Sequence, residues 1–91
     1  MRESKVEDYL IDRVKRARGE VRKLKYIGHR SATDRLVLLP GRAFMCELKR
    51  PRKEPTAEQR REHAKLRWAG IPVEVIDSIE SVDEVLKRYG C

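Results

Sequence analysis

Apolar residues recur at helical spacing near the start of the chain, where Val6, Leu10, Ile11, Val14 and Ala17 share one stripe. Ser4 precedes that stripe with Glu7 three places on, the hydroxyl and acid of a capping box, and Gly19 offers a left-handed stop. The pattern predicts a helix from Ser4 to about Arg18. The same opening recurs at Thr56-Ala57-Glu58-Gln59, just after Pro55, for a helix that ends at Ala69 before Gly70. It recurs again at Ser81-Val82-Asp83-Glu84, with Val82, Val85, Leu86 and Tyr89 on one face and Gly90 at the end.

Between the helices the period changes. Glu20 to Ile27 alternates loosely and reads as a strand, while Leu36 to Leu39 and Ala43 to Leu48 flank the turn dipeptide Pro40-Gly41 and read as a hairpin. Val73 to Ile76 is a short β-branched strand directly after the second helix. The order is αβββαβα in a single domain over residues 1–91. Three antiparallel strands followed by one that returns through a crossover helix give a mixed sheet flanked by helices, an α/β fold.

Composition narrows the function. Apolar residues make up 40% of the chain and charged residues 41%, so the core is thin and a second subunit would supply further buried surface. Lys and Arg number 22 against 15 Asp and Glu, a net charge of +7 that attracts polyanions, nucleic acid above all. The cations cluster, as in Lys15-Arg16-Ala17-Arg18 and Lys49-Arg50-Pro51-Arg52-Lys53. Cys46 and Cys91 make no disulfide framework, which suits a reduced compartment. No apolar run is long enough to cross a bilayer, and the charged start lacks the apolar segment of a signal peptide. The expectation is a soluble, cytoplasmic protein with no membrane partner.

The chemistry concentrates in the hairpin. Alternation along its second strand sends Phe44, Cys46 and Leu48 to one face and Met45, Glu47 and Lys49 to the other. A turn centred on Pro40-Gly41 sets Asp34 opposite Glu47, and a slip of one pair sets it opposite Lys49. In either register two carboxylates and an ammonium converge. Such carboxylates repel unless a cation lies between them, and a hard divalent ion such as Mg²⁺ satisfies both. The plainer reading is a solvated cluster of charges on a hairpin face. Glu7 also reads two ways, as a cap reaching back to Ser4 or as a third carboxylate carried toward the sheet by the apolar stripe, where a metal-associated water or Lys49 would partner it. Gln59 shares the cap ambiguity. His63 lies four residues beyond Gln59 on the same face, and the pattern favours a surface role for both His63 and His29.

Asp34, then Glu47-Leu48-Lys49 on the next strand, then Gln59 opening the following helix and Glu7 on the preceding one, resembles the PD-(D/E)xK nuclease superfamily. The phrases Asp34-Arg35-Leu36-Val37-Leu38-Leu39-Pro40-Gly41, Glu47-Leu48-Lys49-Arg50-Pro51 and Gly70-Ile71-Pro72-Val73 look specifically like its VRR-Nuc group. The likeness runs from Glu7 to Asp77. It implies a restriction-endonuclease-like core in which Asp34, Glu47 and the Leu48 carbonyl bind Mg²⁺ or Mn²⁺ and Lys49 is the catalytic lysine. Glu7 would bind metal directly or through water, and Gln59 would position Lys49 or the scissile phosphate. Thr33 stands where the superfamily name has proline, a position that sets backbone geometry and carries no chemistry. Stand-alone members of the group resemble Holliday-junction resolvases, which implies a homodimer acting on branched DNA.

Three functions are left to separate. The first is an endonuclease that hydrolyses DNA phosphodiesters, with Arg30, Arg50, Arg52 and Lys53 gripping the backbone. The second is a basic nucleic-acid-binding module that cuts nothing. The third is a small regulatory or toxin-type protein with protein partners, which needs an exposed apolar patch and has Tyr9 and Trp68 as its candidates.

Overall fold

The computed structural model describes residues 3–24, 35–49 and 53–91. Its elements follow the order read from the sequence: α1 (Glu3–Arg16), β1 (Glu20–Lys23), β2 (Arg35–Leu39), β3 (Arg42–Leu48), α2 (Ala57–Trp68), β4 (Val73–Ile76) and α3 (Ile79–Arg88). One four-stranded sheet has the spatial order β1-β2-β3-β4. The first three strands are antiparallel, and β4 lies parallel to β3 after the α2 crossover.

The hairpin adopts the unslipped register, with Arg35 opposite Cys46, Leu36 opposite Met45 and Leu39 opposite Arg42. Proline's fixed φ at position 40, followed by a φ of 74° at Gly41, closes the turn in two residues. Alternation then splits the sheet into two unlike faces. Phe44, Cys46 and Leu48 join Val37, Leu39 and Ile76 beneath α1 and α3, which contribute Val6, Leu10, Val14, Val82, Val85 and Leu86. Met45 and Glu47 point to the other face, across which α2 passes. Phe44 is fully buried and stacks on Tyr89, with centroids 4.4 Å apart and planes at 28°.

Three local expectations are corrected. The first helix begins at Glu3, so Ser4 lies inside it and Glu7 is no longer the far member of a capping box. At its other end Arg18, not Gly19, takes the left-handed conformation, with a φ of 66°. The amides of Arg18 and Gly19 donate to the carbonyls of Lys15 and Val14 in a Schellman closure. Gly19 is needed for a different reason: a Cβ there would stand 2.2 Å from the Leu38 carbonyl oxygen of the adjoining strand. The third helix begins at Ile79, three residues before the start that a Ser81 cap would give, because Ser78 is its cap and Ser81 the N3 partner of a reciprocal box. Thr56 and Gln59 form the box expected for α2.

Candidate active site

Glu47 is the last but one residue of β3, on the face turned toward α2. It is 8% exposed, and its neighbours on that face in the adjoining strand and along its own are Val75 and Met45. An ionised carboxylate so placed costs several kcal/mol unless partnered. From above, α2 lowers His63 onto it: the imidazole is 2% exposed and its Nε2 lies 3.5 Å from Glu47 Oε1. The expectation of a surface His63 is therefore overturned. The inner face of α2 is the stripe Gln59, Glu62, His63 and Leu66, while the exposed residues lie on its other side. A helix that packs a polar stripe against a sheet gives no apolar periodicity to read, and that is why the sequence pattern misplaced this histidine.

The pKa of His63 lies below the usual histidine range. Burial disfavours the imidazolium, and the Arg67 and Lys49 cations add to the effect against the opposing charge of Glu62. His63 is thus a neutral imidazole near pH 7. It meets Glu47 as a polar neighbour and not as half of an ion pair, and a proton on Nε2 would point at the carboxylate.

Lys49 follows the end of β3. Its main-chain amide donates to the Ile76 carbonyl at 2.9 Å, which anchors the backbone beside the end of β4, and its side chain is part-exposed. The Glu47-Leu48-Lys49 segment thus leads from a buried acid to an accessible amine within one strand end. Two cations, Lys49 and Arg67, and one acid, Glu62, act on His63 beside it.

Glu7 does turn toward the sheet, as its stripe predicted, but its described partner is neither Lys49 nor a capping amide. Arg35 Nε donates to Glu7 Oε2 at 2.5 Å, with both side chains largely shielded from solvent. Arg35 opposes Cys46, so this pair sits on the α1 face, across the sheet from Glu47. Gln59 serves its helix: its Oε1 accepts from the Thr56 amide at 2.9 Å while its own amide donates to Thr56 Oγ1 at 3.2 Å. Lys53 is exposed on the segment before α2. Asp34, Arg30, Arg50, Arg52 and His29 lie outside the described residues. Among the described residues no three His, Cys, Asp or Glu side chains cluster as a metal site. Glu47 is nonetheless a suitable hard oxygen donor, and Asp34, next in the chain to Arg35, is the residue that would have to complete a set.

No family model matches the chain. It is 40% identical over 79 residues to "Putative nuclease p44" of Acyrthosiphon pisum secondary endosymbiont phage 1, a match that spans 86% of this chain and 85% of that protein. A solved structure described as a VRR_NUC domain superposes with a TM-score of 0.88 at 37% identity, covering 96% of each chain. The sheet with its three helices and the shared identity over most of the chain have one explanation: this chain belongs to the VRR_NUC nuclease family.

Proposed function

We propose that the chain is a divalent-metal-dependent DNA endonuclease that hydrolyses phosphodiester bonds in branched DNA such as four-way junctions, working as a homodimer. The observation that carries this reading is the Glu47 carboxylate, buried on the α2 face two residues before a lysine at the strand end. Burying an ionised carboxylate is costly, and a hard divalent cation is a partner whose charge would offset that cost. Asp34, Glu47 and the Leu48 carbonyl would hold Mg²⁺ or Mn²⁺, all of them hard oxygen donors suited to such ions. When bound, the ion would supply Lewis-acid activation of water and charge neutralisation at the phosphate.

The chain's own residues account for the rest. Lys49, part-exposed just after β3, carries an ammonium that would orient the attacking water or offset charge growing on the phosphate oxygens. His63 shields Glu47 from solvent and, being neutral, does not compete for its charge. Gln59 lies one helical turn before His63 and is tied to Thr56, which fixes the start of α2 over the strand end. Glu7, held by Arg35, would position the hairpin from the opposite face. Arg30, Arg50, Arg52 and Lys53 would contact phosphates, so binding should weaken steeply with salt. Two-fold symmetry would present two such sites to two strands of a junction.

The test is cleavage of labelled duplex, flap, single-stranded and four-way substrates with Mg²⁺ or Mn²⁺. The proposal expects four-way DNA to be cut best, and Lys49→Ala to abolish cleavage while leaving DNA binding largely intact. Binding without cleavage by the wild type on every substrate would favour the alternative reading, a non-catalytic basic module. The protein-docking reading loses one of its two candidates, since Tyr9 is part-buried and donates its hydroxyl to Asp83 at 2.7 Å.

A further inference from the structure

Trp68, the second candidate, is 78% exposed at the end of α2. It does not stand alone. Arg61, Ala64, Lys65 and Trp68 follow one another at helical intervals along the outer side of α2, opposite the stripe that faces the sheet, and all four are exposed. The Lys65 ammonium lies over the indole, 4.6 Å from its centroid. The other two cations of the helix are turned to structural duties, Arg60 to Glu54 at 3.0 Å and Arg67 to the Val73 carbonyl at 2.7 Å. What remains on the ridge is an exposed indole at the helix end, with Lys65 over one of its faces and Arg61 two turns before it.

From this we infer that the outer ridge of α2 is a stacking platform for an unpaired base of DNA, with Trp68 under the base and Lys65 and Arg61 on successive phosphates to one side of it. An aromatic surface set in positive charge is what single strands bind, because every base has a π-face and every nucleotide a phosphate. Lys65 already occupies the indole as a cation and would turn to the phosphate when a base took its place. A second copy of the chain is the weaker occupant. A two-fold contact would set Arg61 and Lys65 against their own counterparts, on a protein of net charge +7. The inference deepens the nuclease reading and rests on its nucleic-acid partner: α2 also covers Glu47, so a base on its outer side would hold an unpaired strand about one helix diameter, roughly 10 Å, from the inner face that meets the proposed centre.

Trp68 is the one tryptophan in the chain, so all indole emission reports this position. The test titrates the wild-type chain in EDTA with a thymidine single strand and with a blunt duplex of equal length, reading emission and, with labelled strands, anisotropy. The expected result is strong quenching by the single strand and much less by the duplex. Trp68→Ala should weaken single-strand binding by about tenfold, and Trp68→Phe should restore most of it. Unchanged emission at saturating single strand, no binding of single strand at all, or an unaltered Kd in Trp68→Ala would overturn the inference. So would conversion of a dimer to a monomer by Trp68→Ala in sedimentation, which would make the ridge a subunit interface. No cleavage enters these readings. A chain that quenches but never cuts would keep the platform and lose the nuclease, and one that cuts without quenching would do the reverse.

Discussion

The two faces of the sheet are built on opposite principles. Beneath α1 and α3 lies a continuous apolar core, in which Phe44, Cys46 and Ile76 are fully buried and Tyr9, Arg13 and Asp83 close the outer seam between the helices. Beneath α2 the strand end presents Glu47 to a histidine, and no apolar stripe on the helix answers the sheet. The same strand serves both, since Cys46 and Glu47 are neighbours in the chain and point in opposite directions. One face supplies the free energy of folding. The other places groups that would be costly in a core, which is tolerable because the first has already fixed the backbone that carries them.

This comparison predicts that changes on the two faces separate stability from activity. The largest effect belongs to the α2 face: Glu47→Gln keeps the side-chain volume and removes the charge, and cleavage should fall by a hundredfold or more. Its urea midpoint should move little, because the burial cost of a charge goes with it. Loss of folding in Glu47→Gln with activity per folded molecule unchanged would erase the distinction. On the other face Phe44→Ala should cost roughly 3–5 kcal/mol in urea unfolding, since a fully buried ring stacked on Tyr89 leaves a cavity behind.

A smaller effect depends on pH. Because the His63 pKa is lowered in the folded chain, burial and nearby cations being the cause, the unfolded chain binds more protons below the ordinary histidine value of 6.5. Stability in metal-free buffer should therefore be fully present above pH 6.5 and decline as pH falls beneath it, by at most about 1.4 kcal/mol per pH unit for one proton. His63→Gln should flatten that slope in urea midpoints measured between pH 7.5 and 5, and an unchanged slope would place the titration elsewhere. Smallest of all, Thr56→Ala should cost about 1 kcal/mol by removing the α2 cap, read from the same midpoints.

The comparison also separates what the sequence made legible from what it hid. Element order, the hairpin turn and the α2 cap were readable because each depends on residues close in the chain, such as Pro40-Gly41 or Thr56 and Gln59. The start of α3 was misread because Ser78 and Ser81 are both hydroxyl residues, and Ser81 with Glu84 mimics the box that Ser78 forms with Ser81. The Arg35–Glu7 pair joins positions 28 apart in the chain and leaves no local trace. His63 was obscured by the polar inner stripe of α2, whereas strand alternation was enough to put Glu47 on the face opposite Phe44 and Cys46. Polar residues that pack inward are the ones that periodicity cannot find.

The central claim is that Glu47 is buried in order to meet a divalent cation, and calorimetric titration of Mg²⁺ or Mn²⁺ into the wild-type chain and into Glu47→Gln tests it most directly. The account predicts saturable binding near millimolar concentration in the wild type and its loss in the folded variant. Equal heats from the two proteins, or no binding by the wild type, would contradict it.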